Sequence, residues 1–478
     1  MTPADLVSIL PLLVLSAAIV VLMLAIAFFR NHLLAVVISL LGLGGAFVAL
    51  FLVPARGSHQ VTALLIADGY ALFFQGLILL SSLAVVLMAY AYWERVVVER
   101  EEFYLLMLLA TLGSLVLAGA THFASFFLGL EILSVSLYAM IGYTRRRRVS
   151  IEAGLKYLVL AGSSSAFLLF GMALVYNELG TMEFARMAQA GAASGVRPAL
   201  VLTGLAMMLV GFGFKLAVVP FHLWTPDVYE GAPAPATAFV ATVSKGATFA
   251  ILLRFFTNVD IQKQPSLLLG VGAIAVASML IGNLLALRQN NVKRILAYSS
   301  IAHLGYTLVA FVAAGPLGPT AVAFYLVAYI VTTLGTFGVV TTLSGPEKDA
   351  DALEDYQGLF WRRPWIAAGF TAMLLSLAGI PLTAGFLGKF YLATAGVSSA
   401  QWVLVVTIVL GSGIGLYYYL RLASAMYLRT PDNQTAAMPY SSVAGGLVLA
   451  VLVVLLFLFG IYPPPLIDLI QGAIGHLS

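Results

Sequence analysis

Long apolar stretches separated by short polar connections run the length of the chain. A bilayer core about 30 Å thick takes roughly 20 apolar residues per helix. Fourteen stretches reach that length: 6–29, 33–53, 70–92, 104–119, 122–143, 151–176, 199–220, 234–257, 266–287, 294–313, 318–343, 366–395, 400–427 and 441–462. None alternates apolar and polar residues as a membrane β-barrel strand does. Residues 10–27 have the length of a signal peptide. No basic segment precedes them and no small-residue cleavage site follows, so they read as helix 1. The pattern predicts an all-α polytopic membrane protein with about 14 transmembrane helices.

The 24 Lys and Arg residues test that count. Loops after odd-numbered helices hold 14 of them: Arg30, Arg95, Arg100, Arg145 to Arg148, Arg288, Lys293, Arg294, Lys348, Arg362, Arg363 and Arg429. Loops after even-numbered helices hold 4: Arg56, Arg186, Arg197 and Lys263. This asymmetry predicts cytoplasmic odd-numbered loops and both termini outside the cytoplasm. The longest connections, about 177–198 and 344–365, are too short for a soluble domain. The second carries both signs of charge (Glu347, Lys348, Asp349, Asp351, Glu354, Asp355, Arg362, Arg363), as a solvated loop or a docking surface for a neighbouring subunit would.

Composition narrows the class further. Apolar residues make up 62% of the 478 and charged residues 9%, against about 45–50% and 25% in a soluble domain. A soluble enzyme, a disordered protein and a nucleic-acid binder are excluded. The net charge of +4 is scattered through short loops. There is no cysteine, hence no disulfide, thiolate zinc site or cysteine-held iron–sulfur cluster. The six histidines form no metal or haem cluster in the sequence, and the G-x-G-x-x-A run at Gly270 and Gly272 lies inside an apolar helix, where small residues serve packing.

Ionisable groups at mid-membrane cost several kcal/mol and are functional candidates for that reason. Glu131, in FFLGLEILSVSLY on helix 5, is the acid deepest within a predicted span. Lys215 lies on helix 7, Lys245 on helix 8 and Lys389 on helix 12. One acid and three lysines suit a proton relay, because burial destabilises an ammonium group and a nearby carboxylate restores it. The plainer alternatives are snorkelling of a lysine to the interface and a static ion pair that locks helices. Snorkelling is the better reading for Arg254 and Arg421, which lie nearer helix ends. Glu152 and Lys156, spaced i and i+4 at the start of helix 6, form either a surface ion pair or part of the relay. His303 on helix 10 is a candidate bridge between the two halves of the chain, and His222 follows the helix 7 proline.

Two helices look broken. Pro220 follows Lys215 in helix 7, and Gly379, Pro381 and Gly385 cluster in helix 12. Irregular backbone at membrane depth is tolerated where protein or a wet cavity surrounds it, and breaks at matching positions mark inverted repeats. Helices 4–8 and 9–13 are sets of five with the break in the fourth of each. Because five is odd, the two sets run in opposite senses. The predicted divisions are 1–103 for helices 1–3, 104–258 for the first repeat, 264–430 for the second and 431–478 for helix 14.

The runs VVPFHLWTPDVYEGAPAPATAFVATVSK (218–245), VKRILAYSSIAHLGY (292–306) and LSLAGIPLTAGFLGKFYL (375–392) resemble the antiporter-like membrane subunits of bacterial respiratory complex I, the proton-pumping NADH:quinone oxidoreductase. The resemblance extends over the whole chain, including the YPPP turn at 462–465. Asp227, Tyr229 and Glu230 after Trp224, a lysine at 389, and the lack of extra helices after helix 14 resemble one of the three sister chains in particular. The resemblance implies an ion-translocating subunit with no redox centre of its own. NADH, FMN, iron–sulfur clusters and quinone would belong to partner subunits. It assigns relay roles to Glu131, Lys215, Lys245 and Lys389, with Glu152 and Lys156 beside them. The expected partners are the other membrane subunits, sister antiporter-like chains among them, and the lipid of a bacterial cytoplasmic membrane; no nucleic acid is expected. The alternative is a subunit of a multisubunit cation/proton antiporter, which carries the same relay without NADH. A structural scaffold would tolerate neutral replacement of Lys215 and Lys389.

Overall fold

The computed structural model describes residues 2–53, 58–96, 99–191, 196–259, 262, 264–313, 315, 317–429 and 443–474. Arg56, Lys263, the predicted start of helix 14 at 441 and the predicted boundary at 430/431 lie outside them. Thirteen helical spans among the described residues are long and apolar enough to cross a membrane. In order, helices 1–6 are Leu10–Phe28, His32–Leu50, Gly69–Arg95, Glu101–Gly119, Phe123–Ile141 and Arg148–Leu179. Helices 7–11 are Pro198–Leu216, Ala234–Val259, Pro265–Ala286, Val292–Val312 and Leu317–Leu343, and helices 13 and 14 are Trp402–Tyr427 and Val443–Ile461. Helix 12 is two halves, Pro364–Ala378 and Ala384–Ser398, each too short to span alone. The chain is therefore an all-α polytopic membrane protein with broken helices; thirteen predicted stretches each correspond to one span, and the twelfth in order corresponds to the two halves of helix 12.

Local chemistry explains the ends. Asn31, Asp68 and Asn291 accept backbone N–H groups at the starts of helices 2, 3 and 10, filling donors that a helix start leaves open. Proline is the first residue of helices 7, 9 and 12, where its missing N–H costs nothing. Gly180, at φ 66°, ends helix 6 in the left-handed region.

The bundle has a definite centre. The most apolar windows of helices 8 and 11 are wholly buried, against 28% of those of helices 1 and 14. Helices 8 and 11 are thus surrounded by protein, while helices 1 and 14 lie at the periphery of the chain. Close approaches between glycines and small residues hold neighbouring helices together, as expected where apolar contact alone has little drive. A Cβ on Gly171 would stand 2.5 Å from the Gly204 carbonyl, joining helices 6 and 7. One on Gly113 would meet Gly129 between helices 4 and 5, and one on Gly282 would meet Ala302 between helices 9 and 10.

Contacts between loops follow the parity of the basic residues. At one face, Asp349 of the 11–12 connection accepts from Lys293 (2.7 Å), Tyr92 (2.8 Å) and Arg147 (3.2 Å). These come from helix 10, helix 3 and the 5–6 loop, so the loops after odd-numbered helices share a face. At the other face, Gln60 reaches Thr121 and the Phe123 N–H donates to the Met182 carbonyl, uniting loops after even-numbered helices.

Three features depart from the sequence reading. Arg254 does not snorkel: it is buried, forms two 2.8 Å bonds with Asp68 and lies over the Tyr70 ring. Lys293, read as a loop residue, is wholly buried in the first turn of helix 10, where it also donates to the Glu230 and Ala232 carbonyls. Short elements too brief to span were missed: a two-residue antiparallel pair (His59–Gln60 with Ile66–Ala67) and the helices Phe184–Gly191 and Pro464–Ile474. The last packs against helices 3 and 11.

Burial pushes the Asp349 carboxyl up, but Lys293 and Arg147 outweigh it and hold the group below its ordinary value near 4. A lowered carboxyl stabilises the fold above that ordinary value, and the contribution disappears as pH falls through the lowered one. Asp349→Ala strands a buried lysine, a loss of about 3–5 kcal/mol. A detergent melting curve is expected to show a clearly lower midpoint at pH 7, with the gap to the unsubstituted chain closing below about pH 4. An unchanged midpoint at pH 7 contradicts the role.

Candidate functional site

The predicted site residues are carried by helices 5, 6, 7, 8, 10 and 12, and five of the seven lie along one row, Glu131 half-buried and the other four buried. On helix 5, Glu131 accepts from Ser165 of helix 6 at 2.7 Å. One turn on, Ser134 accepts from the Lys215 ammonium at 2.6 Å, and Tyr157 of helix 6 accepts from it at 3.2 Å. Lys215 and Glu131 are not in ion-pair contact: hydroxyl groups of helices 5 and 6 hold each of them. In this structure the two members of the expected input pair are held by separate hydroxyls.

The break in helix 7 supplies the next connection. The helix stops at Leu216, and Ala217 turns left-handed at φ 61°. The last carbonyls of a helix have no intrahelical donor, and Leu216 gives its carbonyl to Lys245 at 3.2 Å. Lys245 also donates to Ser300 of helix 10 at 2.8 Å and lies above the Tyr229 ring. Helix 8 is itself interrupted at Thr242. Just before it, the Ala241 carbonyl accepts from Tyr329 of helix 11 at 3.0 Å, and the Tyr329 hydroxyl is 2.7 Å from Ser300.

Ser300, His303 and Tyr306 follow at i, i+3 and i+6 on helix 10 and so share a face. The His303 nitrogens meet Tyr325 of helix 11 at 2.6 Å and Tyr419 of helix 13 at 3.1 Å. Tyr419 also bonds Ser299, the neighbour of Ser300. Tyr325 presses on Gly388, where a Cβ would come within 2.7 Å of its ring. The next residue is Lys389. Its ammonium donates to the carbonyls of Leu377 and Ala378, at 2.8 and 3.1 Å, and lies over the Tyr306 ring. Those carbonyls end the first half of helix 12, which closes at the left-handed Gly379. Helix 7 and the first half of helix 12 thus each present a C-terminus, the negative end of the helix dipole, to a buried lysine.

Glu152 and Lys156 lie off this row. They pair at 2.6 Å at the odd-loop end of helix 6, partly exposed. Lys156 also pairs with Asp227 at 2.7 Å, and Asp227 with Arg294 at 2.9 Å. His222 is buried beside the helix 7 break, and its Nδ1 has no partner among the described residues.

The hydroxyl groups of Ser134, Tyr157, Ser165, Ser300, Tyr325, Tyr329 and Tyr419 were missed in the sequence. A signal existed for two of them: Ser134 is one helical turn from Glu131, and Ser300 one turn from His303. Chemically, the row brings together amines, an imidazole and hydroxyls, groups that can each hold or pass a proton, through hydrogen bonds and, at Lys389, a ring contact. Among the described residues no cluster of three His, Asp or Glu side chains is arranged to hold a metal ion.

Residues 120–415 match the family described as NADH:quinone oxidoreductase/Mrp antiporter, transmembrane. Solved structures agree over nearly the full length. A chain of respiratory complex I from Thermus thermophilus is 33% identical with a TM-score of 0.83, covering 96% of this chain and 98% of that one. A chain of the membrane-bound sulfane sulfur reductase, an archaeal respiratory membrane complex, is 26% identical with a TM-score of 0.84 and coverages of 99% and 97%. A chain of the Mrp complex from Dietzia sp. is similar in fold alone, at 22% identity, a TM-score of 0.86 and coverages of 100% and 98%. With the broken helices and buried lysines in place, this chain belongs to the NADH:quinone oxidoreductase/Mrp antiporter family of membrane subunits.

Proposed function

We propose that this chain is the N-type antiporter-like subunit of a bacterial NADH:quinone oxidoreductase and moves protons outward across the cytoplasmic membrane. Electron transfer in other subunits drives it. NADH, FMN, iron–sulfur clusters and quinone belong to those subunits, and this chain supplies the proton path. In this reading its termini face away from the cytoplasm, as the excess of Lys and Arg in odd-numbered loops favours.

The observation that carries the proposal is the buried row from Lys215 through Lys245 and His303 to Lys389. Glu131 and Lys215 receive the proton, Lys245 and His303 pass it between the two five-helix halves, and Lys389 releases it. None of the three amines is ion-paired among the described residues. Their acceptors are hydroxyls and carbonyls, which hold an amine without fixing its charge as a contacting carboxylate would. Glu152, Lys156 and Asp227 stand at the odd-loop face, where a proton from the cytoplasm would approach.

A native gel of mildly solubilised membranes, stained for NADH oxidation and probed for this chain, tests the assignment. Comigration with a large NADH-oxidising band is expected. Migration in a smaller band without that activity contradicts it and favours a cation/proton antiporter.

A positioned proton carrier contributes on the order of 100-fold or more to a transfer rate. Lys215→Met or Lys389→Met is therefore expected to abolish translocation by this subunit on the turnover timescale. Assembly, judged on the same gel, is expected to be retained. Full pumping by membrane vesicles containing either assembled variant removes that lysine from the path.

A further inference from the structure

The turn between helices 5 and 6 holds four consecutive arginines, of which Arg147 alone is engaged, by Asp349. Arg145, Arg146 and Arg148 are exposed and have no side-chain partner among the described residues. Three other guanidinium groups on this face are matched: Arg30 by Glu102, Arg100 by Glu94, Arg294 by Glu230. The nearby carboxylate, Glu152, is already taken by Lys156.

The turn is braced. Thr144 donates to Ser150 at 2.7 Å, and Ser150 donates to the Ile141 carbonyl at 3.0 Å, tying the two helices together. Helix 6 begins at Arg148 with no side-chain cap. The first N–H groups of its 32 residues add the positive end of a helix dipole to the three free cations. Immediately along the helix, Ile151, Leu155 and Val159 share one face and are exposed and apolar.

We propose that Arg145, Arg146, Arg148 and the start of helix 6 form a binding site for an anionic phospholipid. Its phosphate lies against the arginines and the first N–H groups, and an acyl chain runs along Ile151, Leu155 and Val159. The charges match a phosphate, and the apolar strip beginning at the same turn matches a lipid better than free phosphate. Helix 6 also carries Tyr157 and Ser165, the partners of Lys215 and Glu131. An occupied site steadies the helix that holds the proposed input residues. That consequence rests on the proton-path reading, whereas the binding does not.

The test is native mass spectrometry of the assembled complex in mild detergent, titrated with phosphatidylglycerol, chain-matched phosphatidylcholine or inorganic phosphate. Each basic group near a lipid headgroup is worth about fivefold in affinity, so R145Q/R146Q/R148Q is expected to bind phosphatidylglycerol about a hundredfold more weakly. R145K/R146K/R148K keeps the charge and is expected to retain most of the binding, which separates a lost site from a damaged fold. R288Q, an isolated exposed arginine on the same face, is expected to change nothing. Retention of phosphatidylglycerol by the glutamine variant overturns the proposal, as does equal binding of phosphatidylcholine. Displacement by equimolar phosphate also overturns it and indicates a free-anion site. Absence of lipid with the arginines shielded by a neighbouring subunit overturns it in favour of an acidic protein surface. If Lys215→Met leaves pumping intact while this lipid binding holds, the proton path fails and the lipid site stands.

Discussion

An ammonium group in the middle of a membrane has no water to bond, and breaking a helix creates an internal substitute. An intact helix spends each carbonyl on the N–H four residues later. Where helices 7 and 12 stop, their last carbonyls become free, and in both cases a lysine takes them: Lys245 at Leu216, Lys389 at Leu377 and Ala378. The left-handed residues Ala217 and Gly379, and the surrounding helices that shield the irregular backbone, follow from that need. The wholly buried windows of helices 8 and 11 follow too, since the lysine-bearing middle must be walled from lipid. By this geometry the counterpart of Lys389 is Lys245, while Lys215 has a hydroxyl setting of its own.

Neutral acceptors for all three lysines give the row a particular character. A direct Glu131–Lys215 pair would hold both charges firmly, because breaking a buried pair costs several kcal/mol. Here Ser165 holds Glu131 while Ser134 and Tyr157 hold Lys215, so each keeps its place without the other's charge in contact. Firm ion pairs occur instead at the two faces, in Asp349 with Lys293 and Asp68 with Arg254. The faces are fastened by charge, and the middle is joined by hydroxyls and carbonyls.

What the sequence reveals follows from how local each cause is. Spans were legible because lipid imposes one length and one polarity on each. The breaks in helices 7 and 12 were legible from Pro220, Gly379 and Pro381, whereas the interruption at Thr242 carries neither glycine nor proline at that position. Glu131, Lys215, Lys245, Lys389 and His303 stood out because ionisable groups are rare at that depth. Their partners did not, since serine and tyrosine are ordinary in a membrane helix. Arg254 and Lys293 were misplaced because their acids lie 186 and 56 residues away, and no local pattern reveals such a pairing.

The junction at Lys245 carries the central claim, because it joins the Leu216 end of helix 7 to Ser300 of helix 10. The most direct measurement is the number of protons moved per electron by the assembled complex carrying Lys245→Gln. The account predicts a lower ratio with electron transfer to quinone still running and the chain still assembled. An unchanged ratio would contradict a proton path through this junction.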